Sequence, residues 1–176
     1  MRKPVLGILG FSDGDKAAHE MLKPIVLAQV DAIAEALKKD GRVDVVVAED
    51  IVHSDKTAKS YAEGLKAKGV DATVFAYGVF AFPVFSVIAA RYGKGPFLLA
   101  APFNPDWPGM VSMLAAGGGL DHEGIEHFRV AGDVNEKEVL EKIVTFAKCA
   151  KVVSSLSGQK YGLIGGRSLG MYSTTV

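Results

Sequence analysis

At 176 residues the chain has the length of one ordinary domain with a short remainder. Its 49% hydrophobic content is enough to bury a sizeable core, which excludes a disordered chain. Twenty Lys and Arg balance twenty Asp and Glu, so the basic excess of a nucleic-acid binder is absent, and the single cysteine cannot form an internal disulfide. The Met1-Arg2-Lys3-Pro4 start lacks a signal-peptide hydrophobic stretch, and every apolar run is too short to span a membrane. A soluble, cytoplasmic protein is expected.

Val5 to Gly10 is a short apolar run bounded by Pro4 and the turn Ser12-Asp13-Gly14, and reads as a strand buried on both faces. From Lys16 to Lys39 apolar residues recur at Leu22, Val26, Val30, Ile33 and Leu37, a helical stripe, with Pro24 as a kink or restart and Gly41 as the stop. Val43 to Ala48 is a second strand. Ser54 or Asp55 caps a helix over 56–68 that stops at Gly69. Ala72 to Tyr77 is a third strand, followed by a short helix over 82–92 with Pro83 in its first turn. Pro96 to Ala101 is a fourth strand. Trp107-Pro108-Gly109 then opens a helix predicted to end in Gly117-Gly118-Gly119. Phe128 to Ala131 is a fifth strand, and a last helix over 136–155 carries Val139, Leu140, Ile143, Ala147 and Ala150 on one face.

Strands and helices alternate without an internal repeat, which predicts an α/β fold: a doubly wound parallel sheet of about five strands in three layers, flavodoxin-like or Rossmann-like, in the order 2-1-3-4-5. In such sheets ligands bind outside the carboxyl ends of the strands, at the switch between strands one and three. The loops there are 11–16 and 77–80, with 103–107 alongside. Neither G-x-G-x-x-G nor a P-loop is present, and Asp13 and Asp15 put negative charge where a phosphate would sit, so a nucleotide or flavin is not expected. A turn with a helix cap from Ser12 or Asp13 also accounts for the first loop. Asp121, His122, Glu123, Glu126 and His127 form a dense group of possible metal ligands, but the histidines are five apart rather than four, so solvated loop residues are expected there. Cys149 reads as a small core residue.

The chain ends in Gln159-Lys160-Tyr161-Gly162-Leu163-Ile164-Gly165-Gly166-Arg167-Ser168-Leu169-Gly170-Met171, a short strand running into a glycine-rich turn. Gly166 to Gly170 satisfies the G-x-S-x-G nucleophile elbow. That elbow needs a helix after the serine and a histidine later in the chain. Here β-formers follow and all four histidines lie upstream, so a serine hydrolase is set aside. The whole phrase resembles the junction between the first and second domains of the L-fucose isomerase family, sugar aldose–ketose isomerases related also to L-arabinose isomerase. Three upstream phrases resemble the same family in the same order: Ile8 to Gly14, Phe75-Ala76-Tyr77-Gly78, and Phe103-Asn104-Pro105-Asp106-Trp107-Pro108-Gly109.

The resemblance implies an amino-terminal α/β domain over 1–156, with 157–176 starting a truncated second α/β domain. It implies a full-length isomerase, working with Mn²⁺ held by ligands outside this chain, as a homo-oligomer (trimer or hexamer) acting on a small sugar. This portion alone is then expected to be inactive and to contain no catalytic residue or cofactor. Its share is to close a neighbouring subunit's active site with a basic residue after strand one, Lys16 if any, and the aromatic Phe75. Asp13, Tyr77, Trp107, Arg167 and Leu169 join them as substrate-binding candidates. Trp107 either stacks on the sugar's apolar face or packs on the neighbouring loop. A lysine lacks the planar fork of the family's arginine, and phenylalanine the indole donor of its tryptophan. The alternative is a non-catalytic flavodoxin-like sugar-binding module using the same crevice.

Overall fold

The computed structural model describes residues 2–162. Five parallel strands alternate with five helices: β1 (Val5–Gly10), α1 (Lys16–Asp40), β2 (Asp44–Val47), α2 (Asp55–Ala67), β3 (Ala72–Ala76), α3 (Pro83–Tyr92), β4 (Phe97–Ala101), α4 (Gly109–His122), β5 (His127–Ala131) and α5 (Lys137–Leu156). The sheet order is β2-β1-β3-β4-β5, the expected doubly wound order, and every pairing is parallel.

Local chemistry sets the helix ends. Asp15 caps α1 by accepting the Ala18 N–H, and Gly41 ends that helix in the left-handed region at φ 76°. Ser54 and Thr57 make a reciprocal capping box at the start of α2. Two sequence-based boundaries change. α1 runs unbroken through Pro24, and its apolar stripe holds a single 25-residue helix against the sheet. α4 continues through Gly117-Gly118-Gly119 to His122. There the glycines serve close approach: a Cβ on Gly117 would lie 2.4 Å from the Arg129 guanidinium, and one on Gly119 would lie 3.3 Å from Val87.

The core has two halves, one on each face of the sheet. Leu6, Ile8, Val74 and Leu98 meet α1 and α5 on one side. Leu9, Phe75, Leu99 and their neighbours meet α2, α3 and α4 on the other. Strand alternation dictates the split, because successive side chains point to opposite faces. Each fully buried Leu, Ile or Phe contributes about 1.5–3 kcal/mol of transfer free energy, so both layers are needed to hold the sheet. No helix among the described residues is long and apolar enough to cross a membrane.

Candidate functional site

The carboxyl ends of the strands form one rim, and the loop after β1 begins it. Asp13 accepts the Asp15 N–H at 2.8 Å, a tight local turn, and Asp15 rather than Ser12 or Asp13 caps the helix. Ser12 is fully buried, with no hydrogen-bond partner for its Oγ. Lys16, the first residue of α1, is exposed on the rim, and Asp13 is half-buried beside it. Gly14 sits against Phe82 and Phe85, where a Cβ would approach the Phe85 ring to 3.0 Å.

Phe75 and Tyr77 do not reach this rim. Phe75 is fully buried, with its ring 4.9 Å from that of Phe11 and 5.1 Å from that of Phe97. Tyr77 is fully buried as well and shares a 2.7 Å hydrogen bond with Ser86 of α3. Burial pushes its phenol pKa far above the ordinary value, with the Ser86 bond pulling the other way. As placed, both rings are core groups rather than sugar contacts. The reason is register: 75 and 77 share the strand face of Leu9 and Phe11, and that face is roofed by α2, α3 and α4. The aromatics that follow the strand end are Phe80, half-buried, and Phe82, exposed.

The crevice between β1 and β3 is closely filled. A Cβ on Gly109, at the start of α4, would stand 2.4 Å from the Tyr77 carbonyl oxygen, and one on Gly78 would stand 3.3 Å from the Ile25 carbonyl of α1. More room lies after β4. Phe103 is 72% exposed, Asn104 turns the loop by accepting the Asp106 N–H at 2.9 Å, and Trp107 is half-buried against the α1 and α5 side of the core. A recess of about 290 Å³ opens there, lined by Gln29, Phe103, Asn104, Asp133 and Glu136 among others. Amides and carboxylates beside an exposed ring suit a neutral polyhydroxy ligand, because hydroxyls both donate and accept and a ring stacks on apolar C–H faces. Asp133 and Glu136 were missed by motif reading. The signal available was the turn after β5 at Gly132, which the strand-end rule includes.

The histidine-rich stretch is bound up in local contacts. Arg129 donates to Asp121 at 3.0 Å and to His127 Nε2 at 3.1 Å, while His127 Nδ1 meets the Ile125 carbonyl at 3.1 Å. Asp121 and His122 stand in the last turn of α4, not in a loop, and His127 opens β5. Cys149 is exposed, contrary to the core reading, because it lies beside rather than on the buried stripe of α5. It lines an apolar groove of about 630 Å³ between β5 and α5, away from the rim, together with Leu98, Phe128, Phe146 and Val153. Arg167 and Leu169, with Ser168 of the G-x-S-x-G pattern, lie outside the described residues.

A family model described as L-fucose isomerase, first N-terminal domain, matches residues 3–158. Among curated proteins, the L-fucose isomerase of Bacteroides fragilis strain ATCC 25285 is 26% identical over 191 residues, covering 98% of this chain and 32% of the relative. The L-fucose isomerase of Bacteroides thetaiotaomicron is 25% identical over 190 residues with the same coverage. The chain thus spans about a third of the length of the curated relatives it matches.

Proposed function

The chain belongs to the L-fucose isomerase family, matching its first N-terminal domain, and from that premise we propose that its rim closes the sugar site of a neighbouring subunit in a full-length aldose–ketose isomerase. What supports the reading is the make-up of the rim. It presents Lys16, Asp13, Trp107 and the exposed Phe103 over the strand ends. Among the described residues no three His, Cys, Asp or Glu stand together to hold a metal ion. In this proposal the Mn²⁺ is held by ligands outside the described residues, and no step here runs through it. The enzyme is cytoplasmic in this reading and works as a homo-oligomer, trimer or hexamer, with residues 157–176 leading into the next domain.

Isomerisation of an open-chain aldose moves a proton between C2 and C1, and the bound metal supplies polarisation of the neighbouring oxygens. The tasks left to this domain are binding, orientation and exclusion of water. The Lys16 ammonium donates to hydroxyls, and the Asp13 carboxylate accepts from them. The exposed part of Trp107 and the Phe103 ring cover the apolar C–H face of the sugar. Asn104 and Gln29, at the adjoining recess, discriminate hydroxyl orientation.

The test is steady-state kinetics of the full-length protein with L-fucose. Trp107→Ala is expected to lower kcat/KM by about tenfold or more, equal to roughly 1.4 kcal/mol of transition-state stabilisation, with metal content unchanged. Unchanged sugar kinetics in a correctly assembled Trp107→Ala enzyme would overturn the assignment. Sugar binding without turnover by the unaltered full-length protein would favour the sugar-binding module instead.

A further inference from the structure

After β2 the chain returns to the end of β1. Val52 donates its N–H to the Gly10 carbonyl at 2.9 Å and accepts the Ser12 N–H at 2.8 Å, and Phe11 and Val52 form an isolated parallel bridge. Two imidazoles meet at this junction. His19, one turn into α1, and His53, just before the Ser54 cap of α2, stack with centroids 4.1 Å apart and planes 22° apart. The His53 ring is turned by its Nδ1 toward the Ile51 carbonyl at 3.3 Å, and its backbone N–H is held by Thr57 Oγ1 at 3.1 Å. His19 is only 4% exposed and its Nδ1 has no hydrogen-bond partner.

We propose that the stacked His19–His53 pair is a proton-sensitive latch, holding the start of α1 with its Asp13 and Lys16 against the β2–α2 connection. Neutral rings stack at this distance without charge repulsion. Protonation of His19 makes both ring nitrogens donors, with no acceptor at the buried Nδ1, and brings a cation against a second ionisable ring. The other charged groups acting on His19 are Glu20 and Lys23 from α1 and Asp50 from the β2–α2 connection. Lys23 bridges Asp50 at 2.7 Å, so much of that carboxylate's charge is already compensated. Burial first, then His53, hold the His19 pKa below its ordinary value; Glu20 and Asp50 oppose this and Lys23 adds to it.

The sign follows from linkage. The closed junction binds a proton more weakly than the opened chain. Its stability is therefore whole above about pH 6.5, the ordinary histidine value, and declines as the pH falls from there toward the lowered one. Asp50, whose carboxyl lies below its ordinary value despite burial, with the Lys23 ammonium against it, keeps its charge there, so His19 carries the response. Acid thus frees the part of the rim that carries Asp13 and Lys16. This inference does not depend on the sugar reading, since its readout is backbone protection rather than turnover.

Hydrogen exchange, corrected for the intrinsic pH dependence, tests it on peptides covering residues 11–20 and 48–57. Between about pH 7.5 and pH 5.5 their protection is expected to fall, by at most about tenfold for a single histidine, while the Gly41 amide in the α1 C-cap does not change. In His19→Phe, which keeps an aromatic face and loses the proton site, the fall should vanish. An equal fall in His19→Phe, or none in the unaltered protein, overturns the latch. Should that variant fail to fold, an NMR titration of the unaltered protein decides. Loss of protection that sets in below about pH 6.5 and levels off near a lower His19 midpoint supports the latch, and a midpoint at or above about 6.5 contradicts it.

Discussion

Phe75 touches Phe11 and Phe97 and no solvent, so its removal is a stability event rather than a binding one. Phe75→Ala is expected to cost about 3–5 kcal/mol in urea unfolding, within the range for aromatic truncation in a core. Tyr77→Phe should cost about 1–2 kcal/mol in the same assay, because Ser86 then keeps a buried hydroxyl without its 2.7 Å partner. Asp71 gives a pH-dependent counterpart. It is 1% exposed, receives the Arg2 guanidinium at 2.6 and 2.7 Å, and accepts the Val5 N–H at 2.9 Å. Burial pushes its carboxyl upward, but these contacts outweigh burial and the net pKa lies below the ordinary value. Its stabilisation is therefore complete above the unfolded aspartate value of about 3.9 and is lost as pH falls through the lower folded one. Unfolding followed from about pH 5 to pH 2 should show a shallower loss of stability in Asp71→Asn than in the unaltered chain. Equal slopes would remove Asp71 from the acid response.

The start of α4 locks the rim in place at the scale of an element. Gly109 has the Tyr77 carbonyl where a Cβ would go, so Gly109→Ala must push α4 away from the end of β3. A loss of about 1–3 kcal/mol in thermal or urea unfolding is expected, and Gly118→Ala, where nothing lies within 4 Å, should be neutral or slightly stabilising. A neutral Gly109→Ala would mean that the rim is less tightly packed than described. These glycines also show what a sequence hides. The strand and helix alternation, the order β2-β1-β3-β4-β5 and the Gly41 stop were readable, because period and cap chemistry are local. The passage of α4 through three glycines was not, because Gly117 and Gly119 make room for Arg129 and Val87, which are distant in sequence or on another helix. The same limit misplaced Phe75 and Tyr77. Both faces of the sheet are covered, as expected, but how far past the end of β3 that cover reaches depends on where α2 to α4 pack.

At the scale of the molecule, the family was legible from four short phrases in order, because each is a local run of residues. The recess beside Phe103 was not, since Gln29, Asn104 and Asp133 come together only through the fold. The chain covers 32% of the length of its curated relatives, and the proposal gives it half of a site. The 176-residue chain alone, supplied with Mn²⁺, should therefore convert neither L-fucose nor L-arabinose. The most direct test of the shared site is subunit mixing in the full-length protein. One subunit would carry Lys16→Ala with Trp107→Ala, and the other would be inactivated only in the portion that follows this domain. Co-assembled, they should isomerise L-fucose faster than the sum of the two parent oligomers, because an intact rim then faces an intact catalytic portion across a subunit boundary. Activity no greater than that sum, in oligomers shown to contain both subunits, would contradict the account.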